Sequence, residues 1–343
     1  MKQFATLVVC FCLTVCCSAQ DVAVETVVDG LLNPWGVAVQ PGTGHVFVSD
    51  SGASRVIRIV DGKTEEVITG FPKDVYGTAP KFEIGPLGLA FVDQNTLIVG
   101  GGGNQAGSEV LRMYKVPEAG ADAINAEQME GEAQMLPPKP DEDIVGEGNF
   151  LGVVVIGDAV FATCQGDNAK GWVAKADLVD GKLANLARTI AATEKSGTRG
   201  VVAITKSPEG YIVIGQQGAA SIAGDSLITF HDISDEPLAD WKYTTGLNDI
   251  SALAYGPRRG RLFATDASWD NPAAGGLFKI IRGDLPGKCK TEKIAALDKP
   301  TAMAFGEDGN LYITTIGTGA GGVAKQPGAL VMIKGLDDEP KPK

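Results

Sequence analysis

The chain is short of the residues that most enzymes use for acid–base and nucleophilic work. It holds two histidines, His45 and His231, in 343 residues. Neither falls in a serine–histidine–acid or cysteine–histidine arrangement, so triad chemistry has no anchor here. Gly100 to Gly103 follows an apolar run but lacks the lysine and hydroxyl of a phosphate-binding loop. Of six cysteines, four lie within the first 17 residues, leaving Cys164 and Cys289. Two cysteines do not make a disulfide-dense scaffold, and their separate places in the repeat described below suit two separate thiols. Basic residues are outnumbered 30 to 42, a formal charge of -12. Such a chain offers no basic surface for nucleic acid, whereas a small cation is easily accommodated. Beyond residue 19 no run approaches the ~20 apolar residues of a membrane helix, so no transmembrane span is expected.

What is present begins with an export signal over residues 1–19. Lys2 supplies the positive start, Phe4 to Cys17 is nearly all apolar or small, and Cys17-Ser18-Ala19 ends it with small residues. Cleavage after Ala19 and a periplasmic or extracellular location follow as expectations. Leu13-Thr14-Val15-Cys16 also resembles a lipoprotein box, although Val15 is bulky for its place. A lipid-anchored outer-membrane form is therefore the alternative.

Residues 20–336 read as one domain with internal repeats. The first unit is Trp35-Gly36-Val37-Ala38-Val39, a turn at Pro41 to Gly44, then Val46-Phe47-Val48. Arg55 to Ile59 continues it as a third strand. Equivalent units start near Gly36, Gly88, Gly152, Gly200, Ala252 and Ala302, at spacings of 52, 64, 48, 52 and 50 residues. Alternating β-branched and aromatic residues mark strands, and the 45 glycines supply turns and close packing. The sixth unit lacks a fourth strand after Lys334, while residues 22–28 look like that missing strand. The expected fold is thus an all-β, six-bladed β-propeller with its N-terminal strand closing the last blade. The long spacing reflects an insertion at 117–146 between blades two and three, carrying Pro137-Pro138-Lys139-Pro140 and at most one outer strand. Residues 337–343 form a charged tail expected to fray.

The segments Gly36-Val37-Ala38-Val39, Gly88-Leu89-Ala90-Phe91 and Ala302-Met303-Ala304-Phe305, each followed by an apolar second strand, resemble the NHL-repeat and gluconolactonase-like propeller families. The resemblance covers nearly the whole mature chain. It implies the architecture, and it implies that carboxylates and asparagines at one central face can hold a divalent cation. Families of this shape host hydrolases, lyases, redox enzymes and binding scaffolds, so it does not fix an activity.

In such a propeller the loops before first strands and after second strands share one face. Glu147, Asn149, Asn248, Asp249 and Asp266 fall there and form a hard-oxygen set suited to calcium. Asp249 or Glu147 would then activate water beside the cation, as in a metal-assisted hydrolase. Asp50, Cys164 and Asp266 share the second-strand exit, with Gly215 as the blade-four equivalent. Arg55, Arg199, Trp269, Asp270 and Asn271 offer an alternative, a surface for a small molecule, carbohydrate or protein. Trp269 is expected exposed and Trp35 structural. The sequence leaves a binding scaffold and a hydrolase both open, with the scaffold foremost.

Overall fold

The computed structural model describes residues 22–77, 81–104, 107–135, 148–165, 170–234, 237–317 and 327–338. The export signal, Glu147 and residues 339–343 lie outside them. The described chain forms six antiparallel sheets arranged as blades. First strands run Pro34–Val39, Pro86–Asp93, Phe150–Ile156, Val201–Lys206, Ile250–Tyr255 and Pro300–Phe305. Each packs on the next around the axis, and the sixth packs back on the first. The ring is closed.

Every first strand carries a register irregularity near its start, for example between Pro34 and Val37 and between Ile250 and Ala252. Small residues sit in this bulge because the neighbouring blade leaves no room. A Cβ on Gly36 would collide with the Leu87 carbonyl oxygen, and one on Gly152 would lie 2.8 Å from the Val202 oxygen. Hydroxyls on the second strands then tie blade to blade. Ser49 donates to the Leu87 carbonyl at 2.5 Å, Thr163 to Val202 at 2.9 Å and Thr314 to Trp35 at 2.7 Å. The repeat therefore encodes both crowding at the axis and the bonds that hold it. In blade four the equivalent residue is Ala203, paired with Gly215, rather than Gly200. That correction moves the blade-four exit from Gly215 to Gln216.

Blade six is completed by Val24–Leu32, which pairs antiparallel with Pro327–Ile333 from Val24 opposite Ile333 to Leu32 opposite Pro327. It runs further than the 22–28 segment read from sequence because its alternation is broken by bulges at Val28 and Leu31. Within the 117–146 segment, Ile124–Asn125 adds a short parallel strand to blade one, and Gly131–Gln134 is the fourth strand of blade two. Arg58, 2% exposed, anchors the segment by donating to the Pro117 and Glu118 carbonyls while pairing with Glu65. Residues 136–147 lie outside the described residues. At the other end, Asp337 is buried and accepts from the Arg258 and Arg259 amides, so the expected frayed tail does not begin there. Among the described residues no helix is long and apolar enough to cross a membrane.

Candidate functional site

The second-strand exits face the predicted loop cluster, and three of them perform one structural task. Asp50 accepts from the Leu32 amide at 2.6 Å, and Asp266 accepts from Asn248 and Asp249 at 2.8 Å each. Gln216 donates its side-chain amide back to the Thr198 carbonyl, in the opposite hydrogen-bond sense. Each side chain pins the segment leading into its own blade. Asp266 accepts a further amide from Ser268 at 2.9 Å, so both its oxygens are occupied. Cys164 is buried, its thiol donating to the Trp172 carbonyl. Each of these residues is spent locally, on the backbone leading into its blade or, for Cys164, on the neighbouring strand.

The mouth of the channel on this face is filled. A hairpin, Asp74–Tyr76 paired with Phe82–Ile84, leaves the connection between blades one and two and crosses the axis. Tyr76 stacks edge-on against Trp35 at 6.0 Å and its hydroxyl donates to Gln165 of blade three. Phe82 meets Trp269 of blade five at 6.0 Å. Trp35 is buried as expected of a structural residue, and Trp269 is half-buried rather than exposed because the hairpin covers one side. The Lys299 ammonium lies over its ring at 5.6 Å. Below, the axial cavity is only about 70 Å³, walled by first-strand residues such as Gly88, Gly152 and Thr301.

Of the proposed metal set, Asn248, Asp249 and Asp266 are neighbours, Asn149 is half-exposed without a contact to them, and Glu147 lies outside the described residues. The Asn248 side chain already accepts from Gly224 and donates to Ser268. Asp249 accepts from the Trp269 amide through Oδ2, while its buried Oδ1 has no partner. Burial, then the Asp266, Asp225 and Asp270 carboxylates, push its pKa up to about 6 despite that amide. One open oxygen is a poor match to the six to eight that calcium takes. No group of three or more His, Cys, Asp or Glu among the described residues is placed to hold a metal. Arg55 is claimed by Asp50 and Glu66, and Arg199 is exposed on one loop while Asp270 and Asn271 are exposed on another.

The larger concavity is elsewhere. On the seam between blades four and five, toward the opposite face, a groove of about 490 Å³ is lined by Tyr211, Phe230, Leu238, Tyr243, Tyr255, Leu262 and Ile280, with Glu209, Arg261, Arg282 and Cys289 at its polar positions. Phe230 and Tyr243 meet edge-to-face at 5.8 Å. The Tyr255 hydroxyl is pushed up to about 12, by burial first and then by Glu209 and Cys289. Burial alone lifts the Cys289 thiol to about 11. A second cleft of about 620 Å³ continues the groove past Glu209, Tyr255 and Gly260 to Arg258. Reading polar loops as the functional surface missed these residues. A signal was available: three of only six tyrosines in the chain line this one groove.

No family model matches the chain, and no curated protein matches it in sequence. Solved structures do match in shape. An oxidoreductase of Thermus thermophilus, assigned as a glucose dehydrogenase, superposes with a TM-score of 0.59 at 15% identity over 91% of this chain and 100% of its own. A gluconolactonase of Xanthomonas campestris gives 0.58 at 16% over 92% and 89%. The soluble aldose sugar dehydrogenase of Escherichia coli gives 0.57 at 13% over 91% and 99%. These likenesses concern architecture, and their names span unlike chemistries. The chain is a six-bladed β-propeller, similar in fold to these solved structures.

Proposed function

We propose that this chain is an exported ligand-binding propeller whose recognition surface is the groove between blades four and five. The observation that carries the reading is that groove itself: about 490 Å³, aromatic walls, and a few polar groups at defined places. Small-molecule sites characteristically have about 300–1,000 Å³ and this mix of lining. The loop face named by the sequence supports binding less well, because the hairpin and its aromatic partners fill the centre. The metal-assisted hydrolase is supported less well again, since Asp249 alone among Asn248, Asp249 and Asp266 keeps an open side-chain oxygen.

A thermal-shift and NMR screen of small sugars, aromatic acids and tripeptides tests the proposal, with calcium as a separate arm. At least one organic probe should perturb Tyr211, Tyr243 or Tyr255 signals, and Phe230→Ala should remove the effect. Stabilisation by calcium that disappears in Asp249→Asn, with the tyrosines silent, would overturn it in favour of the hydrolase.

A further inference from the structure

We infer that the groove takes an uncharged saccharide of one or two pyranose rings. This deepens the proposed function and rests on it. A pyranose presents two unlike surfaces, a rim of hydroxyls and faces of C–H groups. The groove presents their complements. Tyrosine offers an apolar ring face with a polar tip, which suits such amphipathic ligands. Tyr211, Tyr243 and Tyr255 all line the groove, and Phe230 and Leu262 add apolar wall between them.

The hydroxyls decide between ligand classes. No hydrogen bond joins the Tyr211, Tyr243 or Tyr255 hydroxyl to any described residue. Each is both a donor and an acceptor. A wholly apolar ligand would take these tips out of water without replacing their bonds, at a cost of about 1–3 kcal/mol each. A sugar hydroxyl, itself donor and acceptor, replaces them. Charge does not call for an ionic ligand either. Arg261 already donates to the Leu336 carbonyl and faces the buried Asp337 carboxylate, while Glu209 and Arg282 bring opposite charges to the lining.

Saturation-transfer NMR on the folded chain, with maltose, cellobiose and N,N′-diacetylchitobiose as probes and benzoate and trialanine as controls, tests this. Transfer to pyranose ring protons of at least one disaccharide is expected. Tyr255→Phe, which keeps the ring and removes the hydroxyl, should weaken that binding roughly five-fold, the worth of one net hydrogen bond. Tyr255→Ala should abolish it, and Trp269→Ala should leave it unchanged. Binding of benzoate or trialanine alone would overturn the saccharide inference while leaving the groove as the recognition site. Silence from all five probes with wild-type protein of normal Tm would overturn both. Disaccharide binding lost in Trp269→Ala and kept in Tyr255→Ala would move the ligand to the loop face and overturn the assignment.

Discussion

Asp249 is a carboxylate kept where ionisation is costly. Its pKa stands at about 6 instead of 3.8 because burial outweighs the Trp269 amide. The folded state therefore binds the proton more tightly than the unfolded state. Its stabilising contribution is complete below about pH 3.8 and is lost as pH rises through about 6. Asp249→Asn should consequently stabilise the protein by about 1–3 kcal/mol at pH 7.5, with the gain shrinking to near zero at pH 4. Paired urea titrations across that range check the sign. The two thiols of the described chain should separate just as cleanly. Cys289 is half-buried with its pKa pushed up to about 11, and Cys164 is fully buried. Iodoacetamide should label Cys289 slowly at pH 7.5 and faster at pH 9.5, since the thiolate reacts. Cys164 should resist until the protein is unfolded, which peptide mapping by mass spectrometry would show.

Strands explain themselves through their neighbours in the ring. Thr163 accepts from the Gly152 amide at 2.8 Å within blade three and donates to the Val202 carbonyl of blade four. Thr163→Val keeps the shape and strands both groups, so a loss of about 1–3 kcal/mol is expected in urea unfolding. The strand pattern was legible in sequence because axial crowding imposes small residues that recur at nearly constant spacing. The blade-four register was not, because Gly200 imitates that small residue; it has a φ of 76° and precedes the strand instead of sitting in its bulge. The candidate site was harder to read for a related reason. Asp50 and Asp266 were correctly placed at matching exits, yet sequence does not tell a carboxylate that binds a ligand from one that ties backbone amides. The paired strands Asp74–Tyr76 and Phe82–Ile84 escaped notice since they are three residues each. It decides the site all the same, by filling the space those loops would share.

At the scale of the molecule, closure by Val24–Leu32 makes blade six depend on chain segments from opposite ends of the described sequence. Ring closure removes a sheet edge that would otherwise be open. A chain beginning at Asn33 should therefore lose much of its cooperativity and be cut by protease first in blade six. A synthetic peptide of residues 22–32 added in trans should restore protection; equal protease resistance with and without that strand would refute the dependence.

Val24 and Ile333 sit opposite each other in one antiparallel pair, and Lys334 reaches Glu25 at 2.8 Å. Where the polypeptide is interrupted is thus an accident of threading rather than a property of the ring. A glycine-rich linker from Asp338 to Val22, which keeps the buried Asp337, with new termini opened in the turn at Pro41 to Gly44, would give a circular permutant with the same six blades. Its closing strands would then meet inside blade one, so the point of closure would have been moved a sixth of the way around the axis.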